Sequence, residues 1–247
     1  MIKAAIVIPC YNEYKRLSII EYENFISTTD DFLFIFVNDG STDNTYEKLR
    51  LMQEKFPSRV TILNLTHNVG KGEAVRCGIL SAIPLNTMMI GYIDADLSTP
   101  LKEISLFLKY FENSNYEMVF GSRILRIGAN VHRFFLRHYL GRMMATVVSI
   151  YLKIPIYDSQ CGAKFFSKRF SQLLFNKPFV SRWMFDIEIF KRISLNNIKI
   201  ENCCYELPLS TWIEKGESKI RAIDVLKLPI ELLRIAKYYS KEKHRKY

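Results

Sequence analysis

Paired cysteines are missing from this chain. Its five cysteines, Cys10, Cys77, Cys161, Cys203 and Cys204, are odd in number and show no C-x-x-C spacing. That pattern argues against a disulfide framework and against a zinc site, and it suits a reducing cytoplasm. The four histidines, His67, His132, His138 and His244, share no metal-ligand spacing. Long apolar runs are missing too: the longest weakly charged stretch, "MMATVVSIYL" at 143–152, is about half a membrane span. The apolar run within "MIKAAIVIPCYNE" is too short for a signal peptide and has no small-residue cleavage site. The expectation is a protein that is neither secreted nor membrane-spanning. Repeats, low-complexity tracts and a clear linker are also lacking, and 247 residues at 49% hydrophobic suit one large domain, or one domain with an extension, with an ample core.

Acid is missing in one place. Residues 118–157 hold six Lys/Arg and no Asp or Glu, and residues 219–247 hold nine Lys/Arg against three acids. Each segment contributes +6 to a net charge of +10, and the rest of the chain sums to −2. A nucleic-acid binder usually spreads its charge or interleaves it with stacking aromatics. Two concentrated segments point instead to a local anionic partner.

The first 121 residues alternate strand and helix patterns. Buried strands are expected at 4–8, 32–37, 60–65, 88–93 and 118–121, which are short, apolar and rich in branched or aromatic residues. Helices are expected near 14–28, 43–55, 71–83 and 100–112, with Ser41 or Asp43 capping the second and Pro100 opening the fourth. Such alternation implies a mostly parallel sheet covered on both faces, with ligands beyond the carboxyl ends of the strands. Five polar clusters fall at those ends: "PCYNE", "NDGSTDNT", "NVGKGEA", "DADLS" and "GSR". In the second half, a helix is expected over 132–153, a turn and short strand in "YDSQCGAKFF", an amphipathic helix over 181–193, a strand in "ENCCYELPLS" and a helical tail from 221.

The stretch "MIGYIDADLSTP" poses a specific question. Its apolar strand ends on Asp94 and Asp96, and residues two apart share a face of a strand. Two like charges there repel unless something positive lies between them, so the pair reads either as a fraying strand end or as an oxygen-ligand site for a divalent cation. Five successive polar strand ends favour the cation. The "GKG" around Lys71 does not have P-loop spacing. Asp39 in "NDGS" reads as an Asx turn or a ligand contact. Arg123 reads as a surface ion pair or a ligand contact, Trp183 more as packing than as sugar stacking, and Cys161 as a small apolar residue.

As a set, these motifs resemble glycosyltransferase family 2, inverting enzymes of GT-A fold, over about residues 4–225. "DSQCGAKFF", "RWMFDIE" and "WIEKGESKIR" resemble the polyprenyl-phosphate glycosyltransferases, and the dolichyl-phosphate glucosyltransferase branch in particular. The resemblance implies an α/β fold with a Rossmann-like, mostly parallel sheet flanked by helices and a C-terminal helical extension. It divides the chain into a catalytic domain (1–220, a nucleotide half 1–123 and an acceptor half 124–220) and a basic helix and tail (221–247). It implies that Pro9, Tyr11, Asn12, Glu13 and Ala95 line the donor pocket, that Asp39 bonds the donor's base, and that Lys71 lies near the nucleotide. Asp94 and Asp96 become a D-x-D pair for Mg²⁺ or Mn²⁺, with Asp96 the more direct ligand. Arg123 falls to the diphosphate or the acceptor phosphate, and Arg182 and Lys219 fall to the acceptor. Dolichyl-phosphate mannose synthases have Gln two residues beyond the pair, where this chain has Ser98.

The expected reaction moves a sugar, glucose from UDP-glucose as the leading choice, to a polyprenyl phosphate. The rivals are a hydroxyl acceptor and, more remotely, a nucleic-acid-binding α/β protein. Asp158 and Asp186 compete as a base, or as positioning acids if the acceptor is already an ionised phosphate. Eukaryotic members of the branch usually carry an N-terminal anchor, which is not seen here. Peripheral contact with an anionic membrane, at the inner face of the cytoplasmic membrane, is therefore expected. Its candidates are Arg133, Phe134, Arg137, Leu140, Met143, Met144, Val147 and Tyr151, with Lys237, Lys241, Lys243, Arg245 and Lys246 of the tail.

Overall fold

The computed structural model describes residues 2–132, 135–215 and 222–245. In chain order its elements are β1 (Ala4–Cys10), α1 (Ile19–Ile26), β2 (Phe32–Asp39), α2 (Thr45–Lys55), β3 (Val60–Leu65), α3 (Lys71–Ala82), β4 (Met89–Ile93), α4 (Leu101–Asn113), β5 (Met118–Ser122), β6 (Asn130–His132), α5 (Phe135–Leu152), β7 (Ala163–Phe166), α6 (Lys168–Phe175), α7 (Phe185–Leu195), α8 (Ile200–Cys203), β8 (Cys204–Pro208), β9 (Thr211–Ile213) and α9 (Ala222–Arg245). Arg133, Phe134, Lys219 and Lys246 lie outside the described residues, as do the side chains of Arg137, His138, Leu140, Lys243, His244 and Arg245.

Seven strands form one sheet in the order β3-β2-β1-β4-β7-β5-β8. β3, β2, β1 and β4 are mutually parallel. The strand order reverses between β1 and β4, the crevice where such sheets bind ligands. β1 turns Ala4, Ile6, Ile8 and Cys10 to one core, beneath α1, α2 and α4. It turns Ala5 and Val7 to the other, beneath α3, α5, α6, α7 and α9. Burial on both faces explains why the strands read as continuous apolar runs rather than alternating ones.

All five strands expected in the first half are present, and the differences lie at edges and insertions. β7 is antiparallel to both β4 and β5 and sits between them. The chain leaves β5 at the carboxyl edge, passes through β6 and α5, and re-enters at that same edge, so it must run back down. The helix expected from residue 14 begins at Ile19, because residues 13–17 form turns in which the Glu13 carbonyl accepts the N–H groups of Arg16 and Leu17. α2 is capped at Asn44, without a side-chain bond, rather than at Ser41 or Asp43. Ser41 accepts the Asn12 N–H instead, whereas Asp43 accepts the N–H of Tyr14 and, on Oδ1, that of Thr45 at the start of α2 (3.0 Å). "ENCCYELPLS" begins as the helical turn α8 and becomes strand only at Cys204. α7 is not amphipathic with its acids in water: Phe185 through Phe190 are all buried, Asp186 and Glu188 included. In α5, Met144 and Tyr151 pack against the core, and the outward stripe is Tyr139, Met143, Val147 and Ile150.

α3 crosses β1 and β2 closely because Gly78 has no side chain. A Cβ there would overlap Val7 and lie 2.9 Å from Val37 Cγ2. Gly78→Val is expected to lower the free energy of unfolding by about 1–3 kcal/mol through overpacking, although Val is the better helix former. An unchanged urea midpoint would mean that α3 does not rest on these strands.

Candidate active site

The loop after β1 is stitched to the loop after β2. Asn12, at φ 51°, donates its N–H to Ser41 Oγ (3.0 Å) and accepts the Thr42 N–H on Oδ1 (2.8 Å). The Glu13 N–H donates to Thr45 Oγ1 at 2.8 Å. Pro9 ends in the sheet beside Val37, and Tyr11 is exposed at the rim. The buried Glu13 carboxylate meets Arg16 Nε at 3.1 Å, and Arg16 Nη2 reaches Asp96 Oδ2, also at 3.1 Å. The short α1 thus frees Arg16 to lie against the D-x-D pair. Sequence reasoning missed Arg16, since one cation eighty residues away has no pattern to mark it.

Asp39 closes β2 and holds the loop ahead of α3. Its carboxylate accepts the N–H of Val69 (2.7 Å), the N–H of Gly70 (3.0 Å) and the amide of Asn68 (3.0 Å). Burial pushes its pKa above the ordinary carboxylate value, against the pull of these backbone donors. The same loop receives Arg182, whose guanidinium donates to the Asn68 side chain and carbonyl. Gly70, at φ 96°, makes room for it, since a Cβ would come within 2.6 Å of Arg182 Nε. Arg182 therefore lies on the Asn68–Gly70 loop, whereas Arg123 pairs with Asp158. Trp183 beside it is about half exposed rather than packed.

The pair at the end of β4 is neutralised on both sides. Lys71, the first residue of α3, places Nζ 2.5 Å from Asp94 Oδ1. Burial disfavours the ammonium, yet Asp94 and Asp186 outweigh it, and the Lys71 pKa stands above its ordinary value. Asp96 accepts the Ser98 N–H on Oδ1 (3.0 Å) and meets Arg16 on Oδ2. Ala95 between them is buried, and its carbonyl accepts the Tyr22 hydroxyl at 3.4 Å. Gly162, just before β7, forms a cradle: a Cβ there would overlap the Asp94 carboxylate. No group of three His, Cys, Asp or Glu among the described residues is arranged to enclose a metal. Two carboxylates in an open setting do suit a hard cation that keeps water and takes its other ligands from phosphate oxygens, as Mg²⁺ does.

On the other side of β4, Arg123 and Asp158 form a two-pronged pair, Nε to Oδ2 at 2.6 Å and Nη2 to Oδ1 at 2.8 Å. The Arg123 N–H adds a third bond to Oδ2 at 3.1 Å. The N–H groups of Tyr157 and Asp158 donate to Glu206 on β8 at 2.9 and 2.7 Å, and the guanidinium lies 5.3 Å from the Trp212 ring centre. Burial opposes the Arg123 charge, but Asp158 more than restores it and Asp94 adds to it. The fields of the D-x-D pair and of Arg123 therefore overlap. Cys161, buried between them, has its thiol pushed up to about 12, first by burial.

Asp186 lies beneath this floor. The Tyr92 hydroxyl donates to its Oδ1, and Lys164 Nζ meets the same oxygen at 2.5 Å while donating to the Cys161 carbonyl at 2.6 Å. All three residues are buried. Glu188, two residues on, accepts the N–H groups of Val180 (3.0 Å) and Ser181 (2.8 Å) and the hydroxyl of Tyr239 on α9 (2.8 Å). The sequence signal for Lys164 was a cation inside the apolar "AKFF"; Tyr239 gave none.

A family model described as glycosyl transferase family 2 matches residues 5–175. A dolichyl-phosphate beta-glucosyltransferase of Trichomonas vaginalis is 32% identical, covering 94% of this chain and 72% of that protein. Proteins of the same name from Saccharomyces cerevisiae and Homo sapiens are each 28% identical, covering 95% and 86% of this chain and 74% and 72% of their own. Among solved structures, glucosyl-3-phosphoglycerate synthase from Mycobacterium tuberculosis with UDP superposes at a TM-score of 0.68 and 15% identity, covering 95% of this chain and 80% of that one. Its complex with Mn²⁺, UDP and glucosyl-3-phosphoglycerate gives 0.65 at 14% identity, with the same coverage.

Lys164→Met is expected to cost about 3–5 kcal/mol of stability, because it leaves Asp186 buried and unpaired. Replacing all three members, Lys164→Met with Asp186→Leu and Tyr92→Phe, is expected to recover most of that loss. A triple variant no more stable than the single one in urea titrations would show that the network contributes more than mutual neutralisation.

Proposed function

The chain belongs to glycosyl transferase family 2, and from that premise we propose that it moves glucose from UDP-glucose to a polyprenyl phosphate, inverting the anomeric carbon. The names of its relatives support the donor and the acceptor class. The observation that carries a phosphate acceptor over a hydroxyl one is the state of the two candidate bases. A hydroxyl nucleophile needs a carboxylate within hydrogen-bond reach to take its proton. Asp158 is clamped on both oxygens by Arg123, and Asp186 is buried under Lys164 and Tyr92. A phosphate monoester, with its second pKa near 6, arrives ionised and asks for no base.

In this reading a phosphate oxygen of the lipid attacks C1 of glucose, the bond from C1 to the β-phosphate oxygen breaks, and UDP leaves with the electron pair. Asp158 fixes the Arg123 guanidinium to orient the incoming phosphate. Asp39 shapes the Asn68–Gly70 loop on the side assigned to the nucleotide, and Asn12 and Glu13 hold the opposite loop. Asp94 and Asp96 would hold Mg²⁺ or Mn²⁺, supplying positive charge for the departing diphosphate. Lys71 and Arg16 pair with these two carboxylates and would donate hydrogen bonds to the diphosphate oxygens of the donor.

The acceptor places the enzyme at a membrane. No helix of the described residues is long and apolar enough to cross one. Peripheral attachment is supported by the outward stripe of α5 and by Ile230, Leu233, Lys237 and Lys241 on the exposed side of α9. Both helices pack against α7.

The direct test is incubation with UDP-[¹⁴C]glucose and either a polyprenyl phosphate in detergent or a soluble saccharide. The expected outcome is label in a glucosylated lipid phosphate, abolished by EDTA, restored by Mg²⁺ or Mn²⁺, and sharply reduced in Asp96→Asn. Label in the saccharide alone would favour the hydroxyl-acceptor reading.

Lys71→Met is expected to have effects of opposite sign on two ligands. Removing a cation next to Asp94 should tighten Mn²⁺ binding to the nucleotide-free protein by about tenfold or more, on the scale of one nearby charge pair. It should weaken UDP binding in the presence of Mn²⁺. Electron spin resonance of free Mn²⁺ and calorimetry with UDP read the two separately. Weaker Mn²⁺ binding in the variant would refute the competition.

A further inference from the structure

Between β5 and β6 the chain makes a tight turn whose tip presents two large apolar side chains to solvent. Ile127 is 104% exposed and Leu125 61%. The turn is closed by the Ala129 N–H donating to the Arg126 carbonyl at 3.2 Å, with Gly128 at φ 84° in the third position. That pattern suits a type II turn. A Cβ on Gly128 would meet nothing within 4 Å, so the tip stands clear of the protein.

The legs of the turn are anchored. On one side Arg123 is held by Asp158. On the other, Asn130 donates its N–H to the Ser210 carbonyl at 2.8 Å, and the buried Val131 pairs with Trp212 across β6 and β9. An apolar tip on two fixed legs is not covered by the described residues. Its charge surroundings say what covers it. Arg126 opens the turn, Arg123 at its base is balanced by Asp158, and 118–157 contains six cations and no acid. Cationic surroundings with an apolar point match the boundary of an anionic bilayer, where headgroups meet the cations and the acyl region takes the point.

We propose that Leu125–Gly128 is a wedge that enters the headgroup boundary of an anionic membrane beside the acceptor site. The proposal rests on the lipid-phosphate reading above and deepens it. Arg123 lies two residues from Leu125, so a seated wedge holds that guanidinium near the level of the lipid phosphates. The outward stripe of α5, which starts three residues after β6 ends, continues the contact through Tyr139, Met143, Val147 and Ile150. The wedge fixes depth and the stripe fixes orientation.

The test uses the full chain and vesicles of phosphatidylglycerol and phosphatidylcholine in equal parts, containing no polyprenyl phosphate. Leu125→Ser/Ile127→Ser should partition to these vesicles about tenfold or more weakly than the wild type, the scale set by two exposed aliphatic side chains. Its UDP affinity and unfolding midpoint should be unchanged. Ile127→Trp, read as the difference from the wild type's own tryptophans, should emit at shorter wavelength with vesicles and be quenched by brominated lipid. Equal partitioning of the double-serine variant, or a difference emission of Ile127→Trp unmoved by vesicles, overturns the proposal. So does a blue shift that grows with protein concentration without vesicles, which would mean that a second copy covers the tip. Glucolipid formed in detergent while the tip stays in water would sink the wedge alone. Insertion of the tip without any glucolipid product would sink the assigned reaction alone.

Discussion

Asp94 places a negative charge at the end of a strand that is otherwise wholly apolar, and much of the surrounding structure serves to keep it there. The carboxylate is paired with Lys71, seated on Gly162 and within the field of Arg123. Asp96 leans the other way, toward Arg16, which Glu13 holds in place. Two like charges on one strand end are therefore kept apart by two cations drawn from different elements. This arrangement fixes the start of α3, the late start of α1 and the absence of a side chain at residue 162.

The same requirement recurs one layer down. Asp186 and Glu188 on α7 are buried, and burying a carboxylate is costly unless it is paired and hydrogen-bonded. Asp186 is met by Lys164 and Tyr92, Glu188 by two backbone N–H groups and Tyr239. The second set ties α9 to the segment ahead of α7. Residues 180–181 lead into Arg182, Arg182 closes on Asn68, and Asn68 is bonded to Asp39. A continuous chain of polar contacts thus runs from the C-terminal helix to the end of β2. The links at Glu188 and Asp39 are at least partly shielded from water, the condition under which hydrogen bonds hold geometry best, whereas the Arg182–Asn68 link lies at the surface.

The parts of the site that could be read from the sequence are those that local pattern encodes. A parallel sheet puts every strand's carboxyl end at one edge, so five polar clusters after five apolar runs locate that edge without coordinates. The two aspartates beyond the end of β4 were visible for the same reason. Pairings between distant residues were not. Arg16 and Asp96 are separated by 80 positions, and Lys164 and Asp186 lie on different elements. The antiparallel placement of β7 was illegible because a four-residue apolar strand reads the same in either direction. The burial of both α7 acids was illegible because their partners, Lys164, Tyr92 and Tyr239, come from three other elements. Gly162 looked like an ordinary turn residue until Asp94 was found lying across it.

Charge balance in the proposed reaction explains why the two sides of the site are built so differently. The acceptor enters as a largely dianionic monoester and leaves as a monoanionic diester, while the nucleotide gains the charge the acceptor loses. One unit of negative charge therefore crosses the site during transfer. A fixed cation on the acceptor side must attract the monoester without trapping the diester. Arg123 suits that need, because Asp158 already balances its charge and leaves it an oriented rather than a bare cation. The donor side must respond to charge that appears only as the bond breaks. Lys71 and Arg16 are paired with carboxylates that would turn to a metal ion when it enters, so their positive charge becomes available as the diphosphate's negative charge grows. The most strongly fixed pair thus stands where charge declines, and the exchangeable pairs stand where it rises.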